Sequence, residues 1–434
     1  VAATVGSTIE FYDFLLYGVL AALVFPKVFF PHANPYAGVL LSFSTYFIGF
    51  CARPIGAVIF GHFGDRIGRK RTLVLTMLTM GVGTVGVGLI PSYDAIGAAG
   101  GFLLVAGRVL QGIGVGGEWA GANLLATESG SSRHRGFLTS FPQAGAMLGL
   151  AAANLAVFTV TTSLSGPAFL SWGWRIPFLA GAALFGLGLW LRSRVAETAE
   201  FEQIVASGAV LQRPLVAAAR RQPVEITLCL FMKVAEMVPV YVFSAFVLAY
   251  GTHTLHLSRS YLLLCVAAAA LLAVVAMPLV GRWSDQAGHE RVFRLGAAAM
   301  VLFAFVYAAA LETANGTFIG AVIVASLLPY AVMYGVEGAI FAKSFRPEWR
   351  YSGSSLAFNL AGIIGGGPAP LVATWLIART GSPFAIGAYI ALAGAIGMVA
   401  ATAMLRRNRP LAASRDVETR SASAVPVTVA AVSS

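Results

Sequence analysis

At 434 residues, 58% apolar and only 11% charged, with a mean hydropathy of +0.80, the chain excludes a soluble domain and reads as a polytopic membrane protein. Its formal charge of +11 does not mark a nucleic-acid binder, because the basic residues gather in short stretches at the ends of apolar runs. The three cysteines (Cys51, Cys229, Cys265) sit inside apolar runs with no CxxC or His/Cys spacing, which argues against a metal or redox site.

Apolar segments of about 20 residues, the length that crosses a bilayer, are predicted near 3–25, 38–60, 72–92, 98–122, 136–160, 173–191, 223–249, 260–280, 293–312, 317–342, 353–378 and 382–405. The first holds Glu10 and Asp13 and leads straight into further spans, unlike a cleaved signal peptide. Between the sixth and seventh lies the longest polar connection, with Glu197, Glu200, Glu202, Arg213, Arg220 and Arg221. The organisation predicted is an N-terminal six-helix bundle (1–191), a cytosolic linker (192–222), a C-terminal six-helix bundle (223–405) and a disordered cytosolic tail (406–434). Lysine and arginine concentrate in the even-to-odd connections and the tail, so both termini are expected in the cytosol.

Between the second and third segments runs GHFGDRIGRKR (61–71), read as a polar loop whose Asp65 faces Arg66, Arg69, Lys70 and Arg71. A second copy, GRWSDQAGHER (281–291), repeats it at a constant offset: Gly61/Gly281, Asp65/Asp285, Gly68/Gly288, Arg71/Arg291. The same offset carries Glu128 onto Glu348 and Asp13 onto Lys233, and it brings Glu118 within one residue of Glu337. Two related six-helix units with a site between them at mid-membrane are the layout of a transporter. Gly61, Asp65, Arg66, Gly68, Arg69, Arg71, Glu128, Arg135, Asp285 and Glu348 form the predicted cytosolic gate. His289 and Glu290 replace two basic residues in the second copy, which sets its share of that gate in question.

Ionisable residues inside spans each need a partner or water, since insertion at the centre costs about 2.5–3.5 kcal/mol. Helical spacing puts Glu10, Asp13 and Tyr17 on one face of the first span. Arg108, Gln111 and Glu118 share a face of the fourth, and Lys233 and Glu236 a face of the seventh. Three polar faces predict one shared aqueous cavity. Asp13 and Arg108 read either as a proton-coupling pair or as a static salt bridge; Glu10 and Glu118 are further proton candidates. Lys233 with Glu236 either binds a substrate carboxylate or satisfies itself across one turn. Arg53 is expected to snorkel to the cytosolic end of its helix. Tyr12, Tyr17, Gln111, Gln143, Tyr241, Tyr334, Glu337 and Asn359 complete the substrate-binding candidates. GVGTVGVG (81–88) and GIGVGG (112–117) lie within apolar helices and do not follow a strand, so the dinucleotide reading fails. No Walker loop, HExxH or triad stands out, and no enzyme activity or cofactor is expected.

The loop GHFGDRIGRKR resembles the signature of the major facilitator superfamily. IEFYDFLLYG (9–18), ARPIGAVIFGHFGDRIGRKRTL (52–73), RVLQGIGVGGEWAGA (108–122) and WGWRIPF (172–178) resemble its metabolite:proton symporters. KVAEMVPVYVFSAFVLAYGT (233–252) and RYSGSSLAFNLAGIIGGGPAP (350–370) look most like the shikimate carriers among them. The resemblance implies an all-α fold of twelve transmembrane helices in two pseudo-symmetric halves. It also implies proton-coupled uptake of a small organic acid, by a monomer in the inner (plasma) membrane with the proton as coupling ion. Related sugar–proton symporters place an Asp in helix 1 and an Arg in helix 4, positions matched by Asp13 and Arg108. A di- or tricarboxylate carrier, a proline or betaine carrier, and a uniporter or antiporter of the same fold are the alternatives.

Overall fold

The computed structural model describes the backbone of residues 2–67, 69–116, 121, 123, 126–127, 134–194, 214–313, 315–346 and 349–423. It describes side chains over the same residues except 2, 61–71, 73, 191–194, 214 and 408–423. Helices are the regular structure of the described residues, with no strands among them. The long helices are α1 (Ala2–Leu23), α2 (Pro35–Ile67), α3 (Arg69–Leu89), α4 (Ala99–Val115), α5 (Arg135–Ser163) and α6 (Ile176–Arg194). The second half begins with α7, which runs Pro223–Tyr241, through a π turn at Val242–Phe246, to Val247–His253. Then come α8 (Arg259–Ala287), α9 (His289–Glu312) and α10 (Gly316–Ser344). α11 comprises Arg350–Ala361, a π turn at Gly362–Gly366 and Ala369–Thr380, and α12 is Phe384–Ser423. Nine helices among the described residues are long and apolar enough to cross a membrane, and Val74–Leu89 and Ala99–Val115 are shorter apolar helices.

The helix ends follow local chemistry. Ser258 and Asn315 accept from the amides of Tyr261 and Phe318 and so start α8 and α10. Gly381, at φ +69°, closes α11 in the left-handed conformation. Both copies of the polar motif were expected as loops, yet α2 runs on to Ile67 and α8 to Ala287. In the second copy the chain turns only at Gly288, at φ +92°. The last helix also continues past residue 405, where the tail was expected to begin, and reaches Ser423. Residues 195–213 of the linker and 424–434 of the tail lie outside the described residues.

Helix pairing repeats six helices on. α1 packs on α5 and α6, α2 on α4, and α3 on α4 and α6; α7 packs on α11 and α12, α8 on α10, and α9 on α10 and α12. The halves meet where α5 crosses α8 and α10, where α2 crosses α11, and where α1 meets the later part of α7 (Val242–His253). With no hydrophobic drive between helices in lipid, close backbone approach through small residues holds such a bundle together. A Cβ on Gly112 would stand 2.9 Å from the Cβ of Ala52 and collide with the Gly49 carbonyl, and Gly56 on α2 faces the Ile113 carbonyl of α4 in the same way. Gly112→Leu is therefore expected to part α2 from α4 at a cost of about 1–3 kcal/mol. A lowered melting temperature of the detergent-purified protein would show it, and an unchanged one would refute this account of the contact. Large apolar side chains such as Phe102, Leu302 and Val399 remain on the outside, as a lipid-facing surface requires.

Candidate substrate and proton site

Two polar clusters lie buried near the middle of the spans, one in each half. In the first half Asp13 (α1), Thr84 (α3), Arg108 and Gln111 (α4) are all fully buried. The Gln111 amide donates to both Asp13 carboxylate oxygens, at 3.2 and 3.1 Å, and to Thr84 Oγ1 at 3.1 Å. Its own Oε1 accepts from Arg108 Nη1 at 3.1 Å. The predicted direct Asp13–Arg108 pair is thus replaced by a relay with Gln111 between them. The reason lies in the packing of α4 on α2. Gly49 leaves room for the Arg108 side chain, whose Nε would stand 2.5 Å from a Cβ there, so the guanidinium passes over α2 into an aromatic nest.

In that nest the Arg108 guanidinium carbon lies 3.9 Å from the ring centre of Phe14, 4.4 Å from Tyr17 and 4.7 Å from Tyr46. Its Nε and Nη2 find no hydrogen-bond partner among the described residues. Arg53 does not snorkel as expected. It is 1% exposed, and its guanidinium carbon lies 4.0 Å from Phe14, 4.5 Å from Phe50 and 5.7 Å from Phe358. Phe14 therefore stands between two guanidinium groups. Glu10 is buried within electrostatic reach of Arg53. Sequence reasoning passed over Phe14, Tyr46, Phe50 and Thr84. Tyr46, Phe50 and Arg53 follow an i, i+4, i+7 spacing that would have put an aromatic–cation stripe on α2.

In the second half Lys233 (α7) ion-pairs with Glu236 one turn away and donates to Glu337 Oε2 of α10 at 2.8 Å. Its ammonium lies 4.2 Å from the ring centre of Tyr334 and 5.0 Å from Phe358. Glu236 Oε2 and Glu337 Oε1 have no hydrogen-bond partner among the described residues. The expected alternatives for Lys233 and Glu236 left out Glu337; the structure joins all three as one ammonium held by two carboxylates.

Only this second cluster opens on the cavity between the halves. Phe11, Leu15 and Met147 line it from the first half, with Lys233, Glu236, Tyr241, Tyr330, Tyr334 and Phe358 from the second. Its free space is about 10 Å³, roughly one water molecule. Tyr241 closes it against the first half, with ring centres 5.3 Å from Phe50 and 5.9 Å from Tyr46. The single cavity expected to join three polar faces is therefore not formed: Asp13, Arg108 and Gln111 do not line it. Tyr12 donates to the Pro177 carbonyl at 2.8 Å, and Tyr17 bonds Thr45 at 2.7 Å. Gln143 donates to Asn123 at 3.0 Å, and Asn359 crosses between halves to the Gly116 carbonyl at 2.7 Å. None of these four side chains lines the cavity.

At the motif-bearing end, Asp285 accepts from the backbone amides of Gly136 and Phe137 at 2.7 and 3.0 Å. It thereby satisfies open donors in the first turn of α5, where a negative charge is favoured. Gly136 and Gly281 face each other across this contact, each carbonyl within 2.6 Å of where the other's Cβ would be. The second motif copy thus pins α8 to α5 of the other half despite His289 and Glu290. Arg135 begins α5, next to this contact. Of the remaining gate candidates, Gly68, Glu128 and Glu348 lie outside the described residues, as do the side chains of Gly61, Asp65, Arg66, Arg69 and Arg71; so does Glu118. At the opposite end Lys27, His253 and Arg259 are close enough to repel one another. Partial burial and then Arg259 push the Lys27 ammonium below its ordinary value.

Helices long enough to span a bilayer, two bundles related by a six-helix shift and an ionisable cluster at their seam define a membrane transporter, not an enzyme. The chain belongs to the Major Facilitator Superfamily, which it matches over residues 11–370 and 241–433. It is 37% identical over 407 residues to the shikimate transporter of Escherichia coli, covering 93% of this chain and 92% of that one. It is 36% identical over 405 residues to the inner membrane metabolite transport protein YhjE of the same organism, covering 92% of each. Over 424 residues it is 31% identical to the E. coli proline/betaine transporter, covering 94% of this chain and 84% of that one. Among solved structures, that of a D-xylose-proton symporter superposes with a TM-score of 0.71 at 19% identity, covering 93% of this chain and 95% of the other. That likeness establishes the fold.

Proposed function

We propose that the chain is a proton-coupled carrier that takes up a small organic acid of the hydroxylated or aromatic monocarboxylate type, by alternating access. The observation that carries this reading is the Lys233 ammonium on the wall of the seam cavity, among Tyr241, Tyr330, Tyr334 and Phe358. A cation for a carboxylate, surrounded by aromatic faces and phenol hydroxyls, suits a ring bearing a carboxylate and hydroxyl groups. The likeness to the shikimate transporter supports the same class. The likeness to the proline/betaine transporter keeps a zwitterion as the alternative. We place the chain in the inner membrane with both termini and both motif copies in the cytosol, following the basic residues, and we expect a monomer. The proton has two candidate seats, Asp13 in the first half and the Lys233 cluster in the second.

Reconstituted vesicles test the reading. With an inward acid gradient, accumulation of one carboxylate from a panel of shikimate, 4-hydroxybenzoate, 2-oxoglutarate, citrate and betaine should rise. Uptake without accompanying proton entry, read with a pH dye trapped in the vesicles, would make the chain a uniporter or antiporter of this fold. A gradient that alters the accumulation of no anion would end the symport reading.

A further inference from the structure

Charge bookkeeping separates the two clusters. Near the middle of its spans the first half buries two acids (Glu10, Asp13) and two guanidinium groups (Arg53, Arg108), which balance. The second half buries one ammonium and two carboxylates, which do not. An anionic substrate reaching Lys233 would raise that imbalance from one net negative charge to two in a water-sized, low-dielectric space. Uncompensated charge there is strongly disfavoured. Lys233 also has a limited set of donors, and both carboxylates already hold it.

We infer that substrate and proton meet at this cluster: the substrate carboxylate displaces Glu337 from Lys233, and the released Glu337 carboxylate takes up a proton from the outer solution. The inference rests on the reading of the chain as an organic-acid carrier. The Lys233–Glu337 contact breaks, a Lys233–substrate ion pair forms, and one O–H bond forms on Glu337 from a solvent proton. The cavity keeps one net negative charge before and after, so one proton accompanies each monoanion. The groups facing Glu337 are consistent with this. On α7 they are Lys233, Glu236 and the Cys229 thiol, and on α10 Tyr330. From α1 and α5 the cavity is walled by Phe11, Leu15 and Met147, which offer no charge. Arg53 of α2 lies 5.7 Å from the ring centre of Phe358 and is engaged by Phe14 and Phe50 on its own side. The partnerless Glu337 Oε1 supplies the oxygen on which the proton can settle without first breaking another hydrogen bond.

The test is proton uptake on binding, read with a soluble pH dye in weakly buffered detergent solution, using shikimate and 4-hydroxybenzoate as probes. Wild type should take up about one proton per bound probe, a stoichiometry set by the charge argument. Glu337→Gln should bind with little or no proton uptake, and Asp13→Asn should keep it. Unchanged uptake in Glu337→Gln, or its loss in Asp13→Asn alone, would overturn the assignment. If Glu337→Gln does not fold, infrared difference spectra of the Asp13→Asn protein decide. A neutral carboxyl band appearing on probe binding supports the inference, and its absence overturns it. Failure of every probe in the panel to bind the wild type would instead overturn the organic-acid reading, and this inference with it.

Discussion

Lys233→Met is expected to abolish uptake of any carboxylate substrate and to lower the stability of the carrier markedly. The substitution preserves most of the side-chain volume but leaves Glu236 and Glu337, both at most 2% exposed, facing each other with no cation between them. Removing one member of a buried charged group typically costs about 3–5 kcal/mol, because the remaining charge stays buried. The double substitution Lys233→Met with Glu337→Gln removes one charge of each sign. It should regain much of the lost melting temperature while uptake stays at background. That divergence separates the two roles of Lys233. Thermal unfolding in detergent and substrate accumulation in vesicles measure the two halves of the prediction. Substantial uptake by either protein would mean that the substrate carboxylate finds its cation elsewhere, with Arg108 and Arg53 the next to examine.

The second large effect concerns the motif-bearing end. Gly281→Val should keep the carrier from closing there, because a Cβ at this position would stand 2.6 Å from the Gly136 carbonyl and 2.9 Å from the Ser140 Cβ. α5 and α8 would have to part, taking Asp285 away from the amides of Gly136 and Phe137. An overpacking cost of about 1–3 kcal/mol falls on the closed state alone, and each 1.4 kcal/mol moves the balance between states about tenfold. With this end in the cytosol, the protein should accumulate in a form open to the inside and lose net uptake. Spin labels on the ends of α5 and α8 would report a longer distance than in wild type. A folded Gly281→Val protein with the wild-type distance would show that the contact is not what closes this end.

Several features were legible in the chain itself for identifiable reasons. Crossing a bilayer demands about 20 apolar residues in a row, so the spanning segments could be read directly. The repeated glycines and aspartates of residues 61–71 and 281–291 disclosed the two halves, because a duplicated fold keeps the residues its tight contacts need. Asp13, Arg53, Arg108, Lys233, Glu236 and Glu337 stood out because ionisable groups inside spans are too costly to be incidental.

What the tertiary structure decided was which of these groups meet. Spacing along one helix assigns a face, but it cannot say what stands opposite. It could not show that Gln111 would intervene between Asp13 and Arg108, or that Phe14 would separate two guanidinium groups. Nor could it bring Glu337, which lies 104 residues from Lys233 in the chain, onto the same ammonium. Those outcomes depend on how closely α2 approaches α4 and how α7 lies against α10, which glycine contacts and helix crossings set. The sequence alone determined a polytopic membrane protein with two copies of one motif and ionisable residues inside its spans. Only the packing placed the unbalanced charge on the cavity wall, and there an anion entering the seam would encounter it.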